Sequence, residues 1–250
     1  MMPWRRHRRS SSRLSAADQA TAWQVVSLLL DHPDETLVER VPMLTDAIAG
    51  LPDDVRMPLS RFLARLSSAA LGELQRDYVD TFDVTRRCCL HLTYYLHGDT
   101  RNRGAALVRI KQDYRRAGGV LVDEDAELPD HLCVVLEFGA GVDADVAWRI
   151  LNDHRVGIEL LRVALADRDS PWLDVVDALR RTLPALEGDD HEALERLIAQ
   201  GPPTELVGLS TELDAPYATP SSLDEAAPAG PPHSGASHAG PTPVTIGGPR

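Results

Sequence analysis

Cysteine and histidine side chains that could hold a metal or form a nucleophile lie close together near residue 90. They are Cys88, Cys89, His91 and His97. Adjacent cysteines lack the two-residue spacing of the usual zinc clamp, although Cys88 and His91 are three residues apart and could share one ion. A Cys–His nucleophile also needs an oxyanion site and an orienting group, and neither is identifiable nearby. We interpret the cysteines as small apolar residues of a buried helix, and predict no metal and no catalytic centre.

Carboxylates that could bind a cation or act as an acid–base pair follow later in the chain. They are Asp123, Glu124, Asp125, Glu127 and Asp130. Their spacing is not that of a calcium-binding loop. The helix before them is basic, so the acidic connector could be ion-paired to that helix or simply solvated. Glu127, Asp130 and the following His131 are candidates for a functional role, and helix capping is the alternative.

The segment that precedes the connector carries six basic residues against one acid, Asp113. The basic residues are Arg101, Arg103, Arg109, Lys111, Arg115 and Arg116. Such a face could bind RNA or anionic lipid, but a solvated face paired with the acidic connector is the interpretation we favour. The chain has neither a phosphate-binding loop nor a dinucleotide fingerprint, so no nucleotide cofactor is predicted.

Helical periodicity predicts the elements that must position these side chains. The centre of the chain predicts a helix over 74–82, a buried helix over 87–97, and a third helix that Asp99 caps and Gly118–Gly119 closes. A fourth helix is expected to open within 127–131, with Pro129 in its first turn.

The flanking sequence predicts further helices. They are a helix over 15–30 capped by Ser15, one over 34–49 that Pro42 bends or shortens, one that contains residues 55–66, a continuous helix over 143–166, one that begins at Ser170–Pro171, and a last one over 190–200. His154 falls on the apolar stripe of the 143–166 helix, which indicates a core histidine with its hydrogen bonds satisfied. No segment alternates with period two, so no strand is expected.

These elements predict an all-α fold, a single-domain helical bundle over residues 14–200. Residues 1–13 are expected to be a disordered basic arm. Ten of the 18 prolines fall after residue 200, and few large apolar residues accompany them. That tail, residues 201–250, is expected to be disordered because it cannot recover its ordering entropy by burial.

The charge distribution bears on the kind of partner. The net charge is −12, and the arm alone carries five arginines and no acid, which leaves −12 minus 5, or −17, for the rest of the chain. So acidic a body is a poor general nucleic-acid binder. Three cysteines, two of them adjacent, do not indicate a disulfide framework. No membrane span and no evident signal peptide is predicted, so we expect a cytoplasmic protein.

Several segments of the central region resemble one protein family. They are Tyr78-Val79-Asp80-Thr81-Phe82, Leu92-Thr93-Tyr94-Tyr95, Gly98-Asp99-Thr100-Arg101, Glu127-Leu128-Pro129-Asp130-His131-Leu132 and Val135-Leu136-Glu137-Phe138, with a looser match from His154-Arg155 to Leu165. In this order they resemble the delta subunit family of respiratory nitrate reductase assembly chaperones, a branch of the TorD-like all-helical chaperones that serve molybdenum oxidoreductases. Thr81 and Leu128 depart from the wider superfamily pattern and fit the nitrate reductase branch.

The resemblance implies a chaperone with no catalytic activity and no cofactor of its own. Its partner would be the apo catalytic (alpha) subunit of a respiratory nitrate reductase, held by its N-terminal segment until molybdenum cofactor insertion. The residues expected to contact the partner are Tyr78, Phe82, Leu92, Tyr95, Glu127, Asp130 and His131. The alternatives are a nucleic-acid-binding regulator that uses the arginine arm and the basic helix, and, after it, a hydrolytic enzyme.

Overall fold

The computed structural model describes residues 14–119 and 127–184, and in these residues the regular structure is helical. The chain divides into two units, residues 1–206 and 207–250, and every described residue lies in the first. The α-helices are, in chain order, α1 (Ala16–Leu29), α2 (Glu35–Glu39), α3 (Val41–Ile48), α4 (Asp53–Ser68), α5 (Leu71–Tyr78), α6 (Leu92–His97), α7 (Arg101–Arg116), α8 (Leu132–Gly141), α9 (Ala144–Asp153), α10 (Arg155–Ala166) and α11 (Trp172–Arg181). The predicted all-α fold is confirmed.

Helix α1 packs against α8, α11 and α3, and α11 also packs on α4 and α10. Two tryptophans fix this core. Trp23 of α1 is fully buried and donates its indole N–H to the Thr182 hydroxyl at 2.9 Å. Trp172 of α11 donates to the carbonyl of Leu29 at 3.1 Å. Each buried indole therefore has a partner, and both bonds join the N-terminal helix to the end of the described domain.

Close packing of α8 on α1 depends on Gly139. A Cβ at this position would lie 2.6 Å from the Trp23 ring and 2.5 Å from the Ala147 Cβ. No real Cβ approaches heavy atoms that closely, so a larger side chain would force these helices apart. This contact matters for function because α8 carries one wall of the site described below.

The first helix follows the sequence prediction, and the second is divided. The Ser15 hydroxyl caps α1 by accepting the amide of Asp18 at 3.1 Å. The predicted 34–49 helix is divided into α2 and α3 at Arg40, and Pro42 lies in the first turn of α3. A proline in the first turn of a helix removes no helical hydrogen bond. The effect expected from Pro42 is therefore seen as a break between two helices.

The predicted helix over 87–97 is wrong. A short 3₁₀ turn, Arg86–Cys88, is followed by extended backbone, and α6 begins only at Leu92. The backbone of residues 90–92 pairs instead with that of residues 130–132, which also prevents the next helix from starting where we expected it. Helix α8 therefore begins after Pro129, at Leu132.

Other boundaries also differ from the prediction. The predicted continuous helix over 143–166 is interrupted at His154, where α9 ends and α10 begins. The His154 amide and its ring Nδ1 lie 3.1 and 2.8 Å from the Ile150 carbonyl oxygen. The N-cap of α7 is Thr100 rather than Asp99. Residue 170 does not cap α11, whose N-cap position is Pro171. The helix expected over 190–200, the basic arm and the C-terminal tail lie outside the described residues.

Candidate functional site

A cleft of about 380 Å³ lies beside the C-terminal end of α1. Its walls come from four places in the chain: residues 31–32, residues 78–83, residues 89–91 and residues 127–137. The polar lining consists of four carboxylates and three histidines, Asp31, Asp83, Glu127, Glu137, His32, His91 and His131. The remaining lining residues are Tyr78, Phe82, Cys89, Leu90, Cys133 and Val134. Among these described residues there is no lysine or arginine, so the cleft is acidic.

The aromatic floor of the cleft is positioned by an unusual turn. Helix α5 runs directly into a π-helical turn, Val79–Asp83, in which the amide of Val84 bonds to the carbonyl of Val79 at 3.0 Å. Such wide turns within helices are rare and are frequent at functional sites. The turn keeps Tyr78 and Phe82 on one side, with ring centroids 4.8 Å apart.

Both floor rings rest on Trp172, with centroid distances of 5.6 Å for Tyr78 and 5.4 Å for Phe82. The Tyr78 hydroxyl points inward and donates to the Leu30 carbonyl at 3.0 Å. Its ring meets His32 edge-on at 5.2 Å. The floor is thus anchored to the core, and its exposed part is aromatic carbon rather than hydroxyl.

Two extended segments cross the far side of the cleft as a short antiparallel bridge between His91 and His131. The amide of Leu92 bonds to the Asp130 carbonyl at 3.0 Å, and the amide of Leu132 bonds to the Leu90 carbonyl at 2.9 Å. The two histidine rings lie 5.2 Å apart, edge to face. The bridge joins the starts of α6 and α8, although they are about forty residues apart in the chain.

Asp130 lies behind this bridge with no exposed surface. One of its carboxylate oxygens, Oδ2, accepts hydrogen bonds from the Thr93 amide at 3.0 Å and the Thr93 hydroxyl at 2.5 Å. The other oxygen, Oδ1, lies 3.3 Å from Nδ1 of His91. Burial opposes ionisation, but the contacts with His91 and Thr93 together outweigh it, and the pKa of the Asp130 carboxyl is lowered. The buried Asp130 carboxylate therefore lies directly behind His91, which lines the cleft.

Burial also determines the charge of other groups in the lining. It lowers the pKa of His131, an effect that the Glu127 charge partly offsets, and so favours the neutral imidazole. Burial raises the pKa of the Glu137 carboxyl, and the negative charge of Asp31 raises it further. It raises the pKa of the Cys89 and Cys133 thiols as well, so neither is an activated thiolate. Within residues 14–119 and 127–184, no three His, Cys, Asp or Glu side chains are grouped so that they could hold a metal ion.

The structure brings four of the seven predicted contact residues into the cleft: Tyr78, Phe82, Glu127 and His131. The other three, Leu92, Tyr95 and Asp130, are buried behind its walls. The Tyr95 hydroxyl lies 3.0 and 2.8 Å from the carbonyl oxygens of Arg87 and Cys89, so this residue holds the loop that carries the His91 wall.

Sequence reasoning did not predict the rest of the polar lining as contact residues. His91 stands directly before the Leu92-Thr93-Tyr94-Tyr95 segment, which was a signal available in the sequence. Glu137 lies in the matching segment Val135-Leu136-Glu137-Phe138 and was not singled out. Asp31 and His32 follow the end of α1, and nothing in the local pattern connects them with residues 78–82. Only the tertiary fold places these two residues at the cleft.

The basic residues of α7 lie away from the lining of the cleft, and most of them are exposed. Arg103 contacts Asp99 at 3.3 Å, and Arg116 contacts Asp113 at 3.1 Å. The proposed pairing with Asp123, Glu124 and Asp125 concerns residues outside the described part of the chain. Across the described ranges, no helix has the length and apolar character needed to cross a membrane.

The described domain is thus an all-helical bundle with an acidic cleft floored by aromatic rings. The chain belongs to the nitrate reductase delta subunit family, whose model matches residues 48–178. The match includes every predicted contact residue and most of the cleft lining; Asp31 and His32 lie before it.

Curated proteins from three bacteria are similar to this chain. The nitrate reductase-like protein NarX of Mycobacterium tuberculosis (strain ATCC 25618 / H37Rv) is 38% identical over 160 residues, which are 64% of this chain and 24% of NarX. The nitrate reductase molybdenum cofactor assembly chaperone NarJ of Escherichia coli (strain K12) is 33% identical over 158 residues, 62% of this chain and 66% of NarJ. The "Probable nitrate reductase molybdenum cofactor assembly chaperone NarJ" of Bacillus subtilis (strain 168) is 27% identical over 171 residues, 68% of this chain and 92% of that protein.

The chain therefore spans about a quarter of NarX and most of the Bacillus subtilis protein. One solved structure, from Archaeoglobus fulgidus, aligns with 72% of this chain and 98% of its own length, with a TM-score of 0.48 and 18% sequence identity.

Proposed function

We propose that this protein is an assembly chaperone for a respiratory nitrate reductase. It would bind the catalytic subunit before the molybdenum cofactor is inserted, and its cleft would hold that subunit's N-terminal segment. The observation that carries the proposal is the convergence of Tyr78, Phe82, Glu127 and His131 on one cleft. Two motifs about fifty residues apart in the chain, both of the kind found in the delta subunit family, form opposite parts of a single surface.

The size and shape of the cleft suit part of a peptide rather than a whole protein surface. Its volume of about 380 Å³ accommodates a few side chains, as when one face of an amphipathic helix enters a groove. The aromatic floor would receive apolar side chains. Val84 and Leu128, which are 67% and 41% exposed and adjoin lining residues, would extend the apolar contact at the rim.

The charge of the cleft indicates what accompanies those apolar side chains. Asp31, Asp83, Glu127 and Glu137 line it, and no basic residue of the described chain does. A cationic side chain in the occupant would be attracted to these carboxylates and would orient the segment. An amphipathic segment with lysine or arginine beside its apolar face is therefore the ligand we propose.

The chemistry of the lining is that of binding. Burial raises the pKa of the Cys89 and Cys133 thiols, so neither is an activated nucleophile. Leu92, Tyr95 and Asp130 would support the walls from behind. The chaperone would then dissociate once the cofactor is in place and leave the mature enzyme without it.

Calorimetric titration of the full chain with a peptide of the catalytic subunit's N-terminal residues tests this function. We expect saturable binding, a loss of at least about tenfold in affinity for Phe82→Ala, and no loss for Val108→Ala. Val108 is a matched control because it is 55% exposed and does not line the cleft. Absence of binding by the folded wild-type chain, or equal binding by both variants, would refute the proposal.

A further inference from the structure

Asp130 belongs to a family motif, yet its carboxylate faces the interior. Its exposed fraction is 0%, and its three polar contacts go to Thr93 and His91. The Thr93 amide is a fixed donor, because a backbone N–H cannot change its role. The carboxylate is thus held on one side by Thr93, and its other oxygen is left for the His91 ring.

The contact between Asp130 and His91 determines where the imidazole carries its proton. An ionised carboxylate accepts hydrogen bonds and has no proton to donate. Nδ1 of His91 and Oδ1 of Asp130 lie at ion-pair distance, 3.3 Å, without the geometry of a formed hydrogen bond, and the described residues give neither atom another hydrogen-bond partner. Two acceptors at this distance would repel each other, so the contact favours Nδ1 as the N–H in a neutral His91 ring. The other ring nitrogen, Nε2, is then unprotonated.

The position of His91 places its second ring nitrogen, Nε2, at the cleft. The Nδ1 atom is buried, but the side chain as a whole is 26% exposed and lines the cleft. The exposed part of the ring is therefore the side that carries Nε2, a hydrogen-bond acceptor. Its neighbours in the lining, Asp31, Glu127 and Glu137, are acceptors too when ionised.

We propose that Asp130 is a positioning residue that acts through His91: it fixes the Nδ1–H tautomer, so that Nε2 accepts a hydrogen bond from an N–H of the bound segment. The inference rests on the proposed function for the identity of that segment. The donor it selects is a lysine or arginine side chain or an exposed backbone amide. His91 becomes the specificity-determining residue at the surface, and Asp130 works one layer beneath it.

Replacement of Asp130 by asparagine reverses this arrangement without a change in shape. The single amide oxygen of asparagine must accept from Thr93, because the Thr93 amide can only donate. The NH₂ group then faces His91, so Nδ1 has to become the acceptor and the proton moves to Nε2. The cleft would present a donor where the wild type presents an acceptor.

Nitrogen-15 spectra of histidine-labelled full-length protein test the tautomer directly. Spectra are compared at alkaline pH, where the ring signals no longer change with pH. The His91 signals are identified by their loss in His91→Gln. We expect a protonated Nδ1 and an unprotonated Nε2 in the wild type, and the reverse in Asp130→Asn. Thr93→Ser retains both donors to Asp130 and should keep the wild-type pattern. A wild-type His91 protonated at Nε2 would overturn the proposal, even if Asp130→Asn failed to fold.

A double-mutant cycle tests the role of Asp130 in binding the client peptide, the N-terminal peptide of the catalytic subunit. We expect Asp130→Asn to weaken binding about tenfold, which corresponds to about 1.4 kcal/mol. In the His91→Gln background, the same change should have less than a twofold effect, because Asp130 acts through the ring that has been removed. Equal effects in both backgrounds would contradict the proposal. If no form of the protein bound the peptide, the proposed function would fail, and the tautomer pattern would still decide the Asp130–His91 inference.

Discussion

The substitution Tyr78→Phe separates what stabilises the cleft from what binds in it. The Tyr78 hydroxyl lies on the inner side of the ring and donates to the Leu30 carbonyl at 3.0 Å. The ring itself lies over Trp172 and faces the cleft. Removal of one oxygen should therefore weaken the anchor at the end of α1 and leave the recognition surface unchanged.

The size of the effect follows from the bond that is lost. A buried neutral hydrogen bond contributes roughly 0.5–1.5 kcal/mol, and an acceptor left without a partner adds to the cost. We expect the free energy of unfolding to fall by about 1–2 kcal/mol. For a domain of this size, about 2–4 °C in the melting temperature corresponds to 1 kcal/mol, so the melting temperature should fall by roughly 2–8 °C.

Thermal and urea unfolding monitored by circular dichroism measure this loss, and calorimetric titration measures the affinity for the client peptide. Tyr114→Phe is the matched control for stability, because the Tyr114 hydroxyl is also buried and donates to the Pro129 carbonyl at 2.8 Å. Both variants should be destabilised by similar amounts, and Tyr78→Phe should keep its affinity within about twofold. A loss of affinity of more than about fivefold in folded Tyr78→Phe would refute our assignment of recognition to the ring.

Three further predictions concern the bundle that carries the cleft. Gly139→Ala should lower the free energy of unfolding in urea by roughly 1–3 kcal/mol. Gly141→Ala is the control, because its Cβ would meet no atom within 4 Å, and it should not destabilise the protein. Equal losses would contradict the packing of α8 on α1. Glu159→Ala should lower the free energy of unfolding by about 3–5 kcal/mol, because the Glu159 carboxylate is only 5% exposed and pairs with two arginines. Asp174→Ala breaks a surface pair and should lower it by less than about 1 kcal/mol. Burial lowers the pKa of His154 in the folded state, so the unfolded chain binds a proton first and stability should fall as the pH drops below about 6.5. His154→Gln should reduce the slope of that fall by up to about 1.4 kcal/mol per pH unit. An unchanged slope would refute the assignment.

The helices were predictable where one stretch of sequence decides the structure. Ser15 supplies the cap of α1 through its own side chain. The disturbance expected from Pro42 is present as a division of the 34–49 segment at Arg40. The apolar stripes of α4 and α11 repeat at helical spacing and are buried as that spacing predicts. In these elements, the local preference and the tertiary environment agree.

The failures occur where a distant segment overrides the local pattern. Residues 87–97 are apolar on nearly every side, as a buried helix would be, yet the backbone at Leu90 and Leu92 pairs with residues 130–132. That competing interaction is not encoded within either segment alone. At His154 the helix is interrupted although the apolar period continues, and both the amide and the ring of His154 contact the Ile150 carbonyl oxygen.

The candidate site shows the same division. The motif residues Tyr78, Phe82, Glu127 and His131 were found from the sequence, and the fold gathers them in one cleft. The sequence could not distinguish a surface role for Asp130 from a buried one, because both are compatible with an acid at the start of a helix. Asp31 reaches the cleft only because α1 ends beside α5, which is a property of the assembled bundle.

Hydrogen–deuterium exchange of the full chain, with and without saturating client peptide, tests the central claim most directly. Exchange reports local opening of backbone hydrogen bonds, which a bound segment suppresses where it contacts the protein. We predict slower exchange in residues 78–91 and 127–137, and no change in residues 41–68 of α3 and α4. Protection confined to α7, or unchanged exchange at the cleft under saturating peptide, would contradict the claim that this cleft holds the client's N-terminal segment.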